Sequence, residues 1–188
     1  MAVHAVCETT NLRAVHYAER IWDAVSDVDI DNGTLGYLDE VSVEGGVIYN
    51  FKAGTMKGKT PVLVHNPEWT EDTSRMTNQR KDKFFVSAGV PFRAFTLAEG
   101  DEFALSPEGF VGTPEIGKYV SIDANGKLAV ADSPVDGAVM VGKIMRKRQI
   151  GSTLVTGIRT YGYARMMYTV KVKQRKGTPA LLKNLSFL

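Results

Sequence analysis

The chain is short of cysteine, of histidine and of long apolar runs, and each shortage removes a class of function. Cys7 is the one cysteine in 188 residues. No disulfide can form within the chain, a usage that suits a reducing cytosol. The three histidines are His4, His16 and His65. His4 and Cys7 are three apart and His16 is nine further on, but a zinc site needs a second tight ligand pair. No metal or cofactor is expected. No apolar run approaches the ~20 residues that span a bilayer. The N-terminus lacks the basic and apolar regions of a signal peptide, so a soluble protein made in the cytoplasm is expected.

Catalytic signatures are also missing. There is no G-x-S-x-G elbow and no H-E-x-x-H. Cys7 as a nucleophile would need His16 or His65 as its base, and no family-type signature surrounds it. The carboxylate pairs Asp29/Asp31 and Asp101/Glu102 sit at turns, where such residues are expected anyway. The stretch Gly54-Thr55-Met56-Lys57-Gly58-Lys59-Thr60 is one residue short of a phosphate-binding loop. It runs through Pro61 into a strand-like Val62-Leu63-Val64 rather than into a helix N-terminus. It reads as a polar loop, and an enzyme is not expected.

What is present is alternation at a period of two, punctuated by Gly, Pro, Asn and Asp about every ten residues. Gly117-Lys118-Tyr119-Val120-Ser121-Ile122 and Lys127-Leu128-Ala129-Val130-Ala131 flank Asp123-Ala124-Asn125-Gly126. This predicts a hairpin, with Asn125-Gly126 as a turn in which both residues take positive φ. Val139-Met140-Val141-Gly142-Lys143-Ile144 is its returning strand. Phe92-Arg93-Ala94-Phe95-Thr96-Leu97 alternates cleanly, Val47 to Phe51 is a further strand, and Met167 to Lys173 is the clearest terminal one. Ala14 to Val25 fits a short helix by spacing, but alternation from Ala24 favours an extended segment. The polar residues 70–83 show no apolar face and read as a loop. The expected fold class is all-β: a compact antiparallel β-barrel or sandwich with an extended N-terminal arm and a C-terminal tail. The divisions are an arm over residues 1–45, a β domain over 46–173 and an apolar tail over 174–188. The tail is expected to dock on its own domain or on another subunit.

Lys+Arg (23) and Asp+Glu (21) almost cancel, but unevenly along the chain. Within residues 1–40 the acids Glu8, Glu19, Asp23, Asp27, Asp29, Asp31, Asp39 and Glu40 face only Arg13 and Arg20. From Lys143 onward every charged residue is basic. One reading lays an acidic arm on the basic end of a second copy, or on another partner; the other is two solvated faces. Arg146, Lys147, Arg148, Arg159 and Arg165, with Tyr161, Tyr163 and Tyr168 interleaved, admit a nucleic-acid surface. On alternating strands such residues are more often the solvated face, and nucleic acid is not the expected partner.

Taken together, several segments resemble the capsid decoration, or head-stabilising, proteins of tailed bacteriophages. They are Asp29-Ile30-Asp31-Asn32-Gly33-Thr34-Leu35-Gly36-Tyr37-Leu38, Pro61-Val62-Leu63-Val64 with Pro67-Glu68, and the run from Gly89-Val90-Pro91-Phe92 to Glu99-Gly100-Asp101-Glu102-Phe103. Gly117-Lys118-Tyr119-Val120 and Val141-Gly142-Lys143-Ile144 continue the likeness, which spans residues 21–172. The resemblance implies a non-enzymatic virion protein on the capsid exterior, bound to the major capsid protein, with further copies of itself as possible neighbours. It implies a compact β domain and an N-terminal segment that reaches the shell. On it, the contact residues expected are Trp22, Asp29, Asp31, Asn32 and Tyr37, the aromatics serving as interface anchors; the alternative is that Trp22 and Tyr37 are core. A second reading is a phage tail or baseplate module, or a host-carbohydrate binder, with a shallow aromatic site at the turns and Trp69. A third is an enzyme subunit completed by a partner.

Overall fold

The structure is a computed structural model that describes residues 3–17, 20–41, 47–68, 80–156 and 159–175. In chain order its elements are β1 (Cys7–Asn11), a single-turn helix α1 (Arg13–Tyr17), β2 (Ile21–Val25), β3 (Leu35–Val41), β4 (Ile48–Ala53) and β5 (Pro61–Val64). They continue with β6 (Phe92–Thr96), β7 (Glu102–Leu105), β8 (Phe110–Val111), β9 (Tyr119–Ile122), β10 (Leu128–Ala131), β11 (Met140–Thr156) and β12 (Arg159–Arg175). The fold is all-β, as its spacing of short alternating segments predicts. It has two parts: a closed barrel in the order β2-β4-β3-β5-β6, and a seven-stranded sheet in the order β1-β7-β12-β11-β9-β10-β8. Pairing is antiparallel except for β2 with β4 and β10 with β8.

Three barrel strands, β3, β5 and β6, carry apolar residues on both faces, and the two faces feed different cores. Inside, Ala24, Phe51, Val62, Val64, Phe92 and Ala94 pack together, and Ile30 and Val86, joined by an isolated bridge, add to the same cluster. Outside, Leu35, Leu63 and Phe95 lie in register across β3, β5 and β6. They join a second core with Phe103, Leu105, Val120, Ile122, Leu128, Ile144 and Val170 of the sheet. Burying each of these large side chains stabilises by roughly 1.5–3 kcal/mol, so this seam makes barrel and sheet one body.

The boundary expected at residue 45 does not coincide with any division of the fold. Within the stretch expected as an extended arm, β1 pairs with β7 at the edge of the sheet, and β2 and β3 are staves of the barrel. The reason is burial: Cys7, Leu12, Ala24 and Leu35 of this stretch are essentially inaccessible to solvent. Residues 14–25 divide between the two readings, with helix to Tyr17 and strand from Ile21. The glycine turn at Gly45-Gly46, most of the polar loop (70–79) and the tail beyond Arg175 lie outside the described residues.

β9 and β10 form the expected hairpin, with Ile122 opposite Leu128, and β11 returns along β9. The turn chemistry differs from expectation. Only Gly126 has positive φ (76°); Asn125 does not. The Gly126 N–H bonds the Asp123 carbonyl, and the Asp123 carboxylate accepts from the N–H groups of Asn125 and Lys127. This is a turn closed by one left-handed glycine, not a two-residue mirror-image turn. The Gly126 carbonyl accepts from Leu35 N–H at 2.8 Å, so the hairpin tip is sewn to the barrel.

β11 and β12 are each 17 residues long, far longer than their neighbours. β9 holds β11 only over Val141 to Lys143, and β7 holds β12 only over Tyr168 to Lys171. Outward from the pair Gly151 and Ala164 to the pair Thr156 and Arg159, the two strands pair with each other. No other strand among the described residues joins them there. At ~3.3 Å per residue that ribbon extends about 20 Å.

Gly126→Ala tests the seam. An added Cβ would sit 2.3 Å from the Leu35 carbonyl oxygen, in a left-handed backbone. Gly100→Ala shares the left-handed φ, with nothing within 4 Å, and should cost only the backbone strain of about 1–2 kcal/mol. Urea unfolding should show Gly126→Ala the more destabilised by a further ~1–3 kcal/mol. Equal midpoints would remove the seam argument.

Candidate functional site

Two features stand out from the body: an open barrel mouth and the base of the ribbon. At the mouth, the register turns Trp22 and Ala24 of β2, Tyr49 of β4, Leu38 of β3, Val62 of β5 and Thr96 of β6 to the barrel interior. Ile30 and Val86 pack into the same interior cluster as Phe92. Beside Trp22 and Tyr49 a cleft of about 330 Å³ remains, walled by these two rings with Leu38 and Val62, and bounded by Arg20, Asp39, Thr60 and Thr96. Trp22 stands edge-on to Tyr49 with ring centres 5.2 Å apart, and its Nε1 donates to Thr96 Oγ1 at 2.9 Å. Asp39 is ion-paired with Lys59 at 3.2 Å, both half exposed. Arg20 is the one non-glycine residue with positive φ (60°) among those described, and its carbonyl accepts the Thr96 N–H.

At the ribbon base, cations of the basic stretch from Lys143 onward meet carboxylates of the body. Arg165 bonds Glu108 (2.6 Å) and Asp82 (3.2 Å), and Asp82, 2% exposed, also receives Arg80. Arg148 meets Glu8, and Arg146 and Lys171 share Glu102. Ile150 packs beside Val6 and Met167. The charge asymmetry of the sequence is thus partly met within one chain: Glu8 of the acidic N-terminal stretch lies on Arg148 of the basic C-terminal stretch.

The five expected contact residues do not form one patch. Trp22 belongs to the barrel mouth, where its Nε1 is already bonded. Asn32 is buried and exchanges two bonds with the backbone of Asn66, each 2.9 Å. Asp31 holds the N-terminal segment, accepting from His4 Nδ1 (2.7 Å) and the Ala5 N–H (3.1 Å). Asp29 accepts from the Ala88 N–H. Asp29 and Asp31 line a cleft of about 370 Å³ with Glu108 and the hairpin tip. Tyr37 lies on β3 opposite Lys52 and Pro61 and lines neither cleft. Trp69, expected in an aromatic loop site, is outside the described residues.

The fold does bring His65 to Cys7, a neighbourhood the sequence left open. The chemistry there runs against nucleophilic catalysis. Cys7 is wholly buried, and burial with nearby Glu68 and Glu8 pushes its thiol well above the ordinary range. An activated thiolate needs the reverse shift. Among the described residues no three His, Cys, Asp or Glu side chains are grouped to hold a metal ion. The near-phosphate loop leads into β5, and its Lys59 is the partner of Asp39. Comparison of the chain with family models, with curated proteins and with solved structures finds no match. What the molecule defines by itself is a two-part all-β protein, a closed five-stranded barrel fused to a sheet that carries a long ribbon.

Burial lowers the pKa of His65 below its ordinary 6.5. The unfolded chain therefore takes up this proton first on acidification, and the stability His65 contributes, complete above 6.5, is lost as pH falls through the folded value. The urea midpoint should fall between about pH 7 and pH 5, and His65→Gln should flatten that slope. An unchanged slope in the variant would assign the acid sensitivity elsewhere.

Proposed function

We propose that this chain is a non-enzymatic structural protein that binds the outside of a tailed-phage head through the major capsid protein and stabilises the shell. The β11–β12 ribbon carries the reading. A two-stranded ribbon is at best marginally stable alone in water, and its edges present unpaired backbone groups. Such an element gains most by pairing with a strand of a partner. Residues 151–164 hold one cation, Arg159, and no carboxylate, so backbone pairing rather than charge carries the contact. Repetition over a shell turns a modest contact into firm attachment. The sequence resemblance supplies the context of a phage head.

On this reading the attachment element is the ribbon rather than the first 45 residues. Trp22, Asp31 and Asn32 are engaged inside the body, and removing residues 1–40 would remove β1, β2 and most of β3. Truncating the N-terminus would therefore test folding before it tested binding.

The experiment shortens the ribbon. Residues 151–164 are replaced by Asn-Gly, which joins Ile150 to Arg165 through a tight turn. The variant should keep its unfolding free energy within about 1 kcal/mol, because none of residues 151–164 belongs to the cores among the described residues. It should no longer co-sediment with undecorated capsids. Wild-type binding should change little as salt is raised, since residues 151–164 hold a single charge. Undiminished co-sedimentation by the shortened variant would overturn the proposal.

A further inference from the structure

We infer that the barrel mouth is a saccharide-binding site, sized for one or two sugar rings and independent of any shell contact. A pyranose has a face of C–H groups and a perimeter of hydroxyls, and the cleft offers a matching division. Its walls are apolar and aromatic: the Trp22 and Tyr49 rings with Leu38 and Val62. Its boundary is polar, with a guanidinium on Arg20, a carboxylate on Asp39 and hydroxyls on Thr60 and Thr96. A volume of about 330 Å³ is at the small end for ligand sites, which run from roughly 300 to 1,000 Å³ and occur in the mouths of β-barrels.

Three of these groups, on Thr96, Asp39 and Arg20, are placed for a ligand. Trp22 Nε1 donates to Thr96 Oγ1, which leaves the threonine hydroxyl proton available to a ligand. Asp39 touches Lys59 through one oxygen at 3.2 Å, and a half-exposed pair of this kind is worth little. Arg20 is held at the rim in a left-handed backbone conformation, a strain typical of positioned functional residues. Its carbonyl bond to the Thr96 N–H ties that conformation to the barrel wall.

Other ligand classes fit less well. A peptide adding as a strand needs a sheet edge, and the barrel is closed. A phosphate group would sit beside Asp39 with a single arginine on this wall. A purely apolar ligand would leave Arg20 and Asp39 unmatched. Neutral and acidic sugars share the chemistry described, and Arg20 with Lys59 against Asp39 leaves room for a uronic carboxylate.

The test uses the full chain in ligand-observed NMR titrations with a hexose, an N-acetylhexosamine and a hexuronic acid. At least one should show saturable binding. Arg20→Ala and Asp39→Asn, both at the rim and outside the cores, should each weaken it about tenfold, the loss expected for one charge-assisted hydrogen bond. Tyr49→Leu should weaken it too, whereas Lys127→Ala at the other cleft should leave it unchanged. No saturable binding in any titration, or binding indifferent to Arg20, Asp39 and Tyr49, would overturn the inference. Because no shell is present in the assay, its failure leaves the capsid reading standing, and loss of capsid binding by the ribbon variant leaves the sugar site standing.

Discussion

Everything in the molecule leans on the contact between the outer face of the barrel and the sheet. A five-stranded barrel on its own has a small interior, here filled by Ala24, Phe51, Val62, Val64, Phe92 and Ala94. Its remaining apolar residues, Leu35, Leu63 and Phe95, would face water if the sheet were absent. The sheet in turn would expose Phe103, Leu105 and Leu128. Each half covers the apolar surface the other cannot hide, so neither is a separate folding unit. Glycines at the seam reflect the closeness of that approach. A side chain at Gly33 would meet Leu105, and one at Gly126 would meet the Leu35 carbonyl.

From this constraint the rest of the architecture follows. The hairpin of β9 and β10 props the barrel at its tip and lies beside β11 along its length, which fixes where the long ribbon leaves the body. The ion pairs of Arg148, Arg165 and Arg146 with Glu8, Asp82, Glu108 and Glu102 sit where the ribbon departs. The pair of Asp82 with Arg165 is the least exposed of these. There both Arg165 and Arg80 bond the buried Asp82 carboxylate, so the geometry is strongly specified.

The all-β class was legible because alternation in Phe92 to Leu97 and in Tyr119 to Ala131 is a property of single segments. The same alternation could not reveal that both faces of β6 are buried in different cores, since that depends on what lies opposite each face. The first 45 residues differ from expectation for a related reason. Their acids suggested a solvated arm, but Asp31 is taken up by His4 and Ala5, Asp27 by Lys52, and Asp39 by Lys59. All of these partners lie between 20 and 27 residues away in sequence. Trp22 stood out as an aromatic, yet the cleft it walls draws on five strands and their flanks. Arg20, Tyr49 and Thr60 carry no spacing that would join them. The positive φ of Arg20 leaves no trace in the sequence at all.

The register of β11 against β12 has a further consequence. It shifts once between Val141 and Gly142 and again between Ile144 and Arg146, and the two shifts are opposite. The first leaves Lys173 of β12 without an opposite number, and the second leaves Met145 of β11 without one. They cancel, so the ribbon beyond Arg146 is in phase with the strand ends at Met140 and Arg175. Between the bulges, however, the pairing is offset where β9 and β7 grip the hairpin. The body and the ribbon therefore keep separate time along the same two strands. Substitutions or length changes inside the gripped segment would re-aim every side chain further out. Changes in the ribbon leave the gripped segment as it is. Such an arrangement lets the outer strands change in sequence or length while the fold that carries them stays the same.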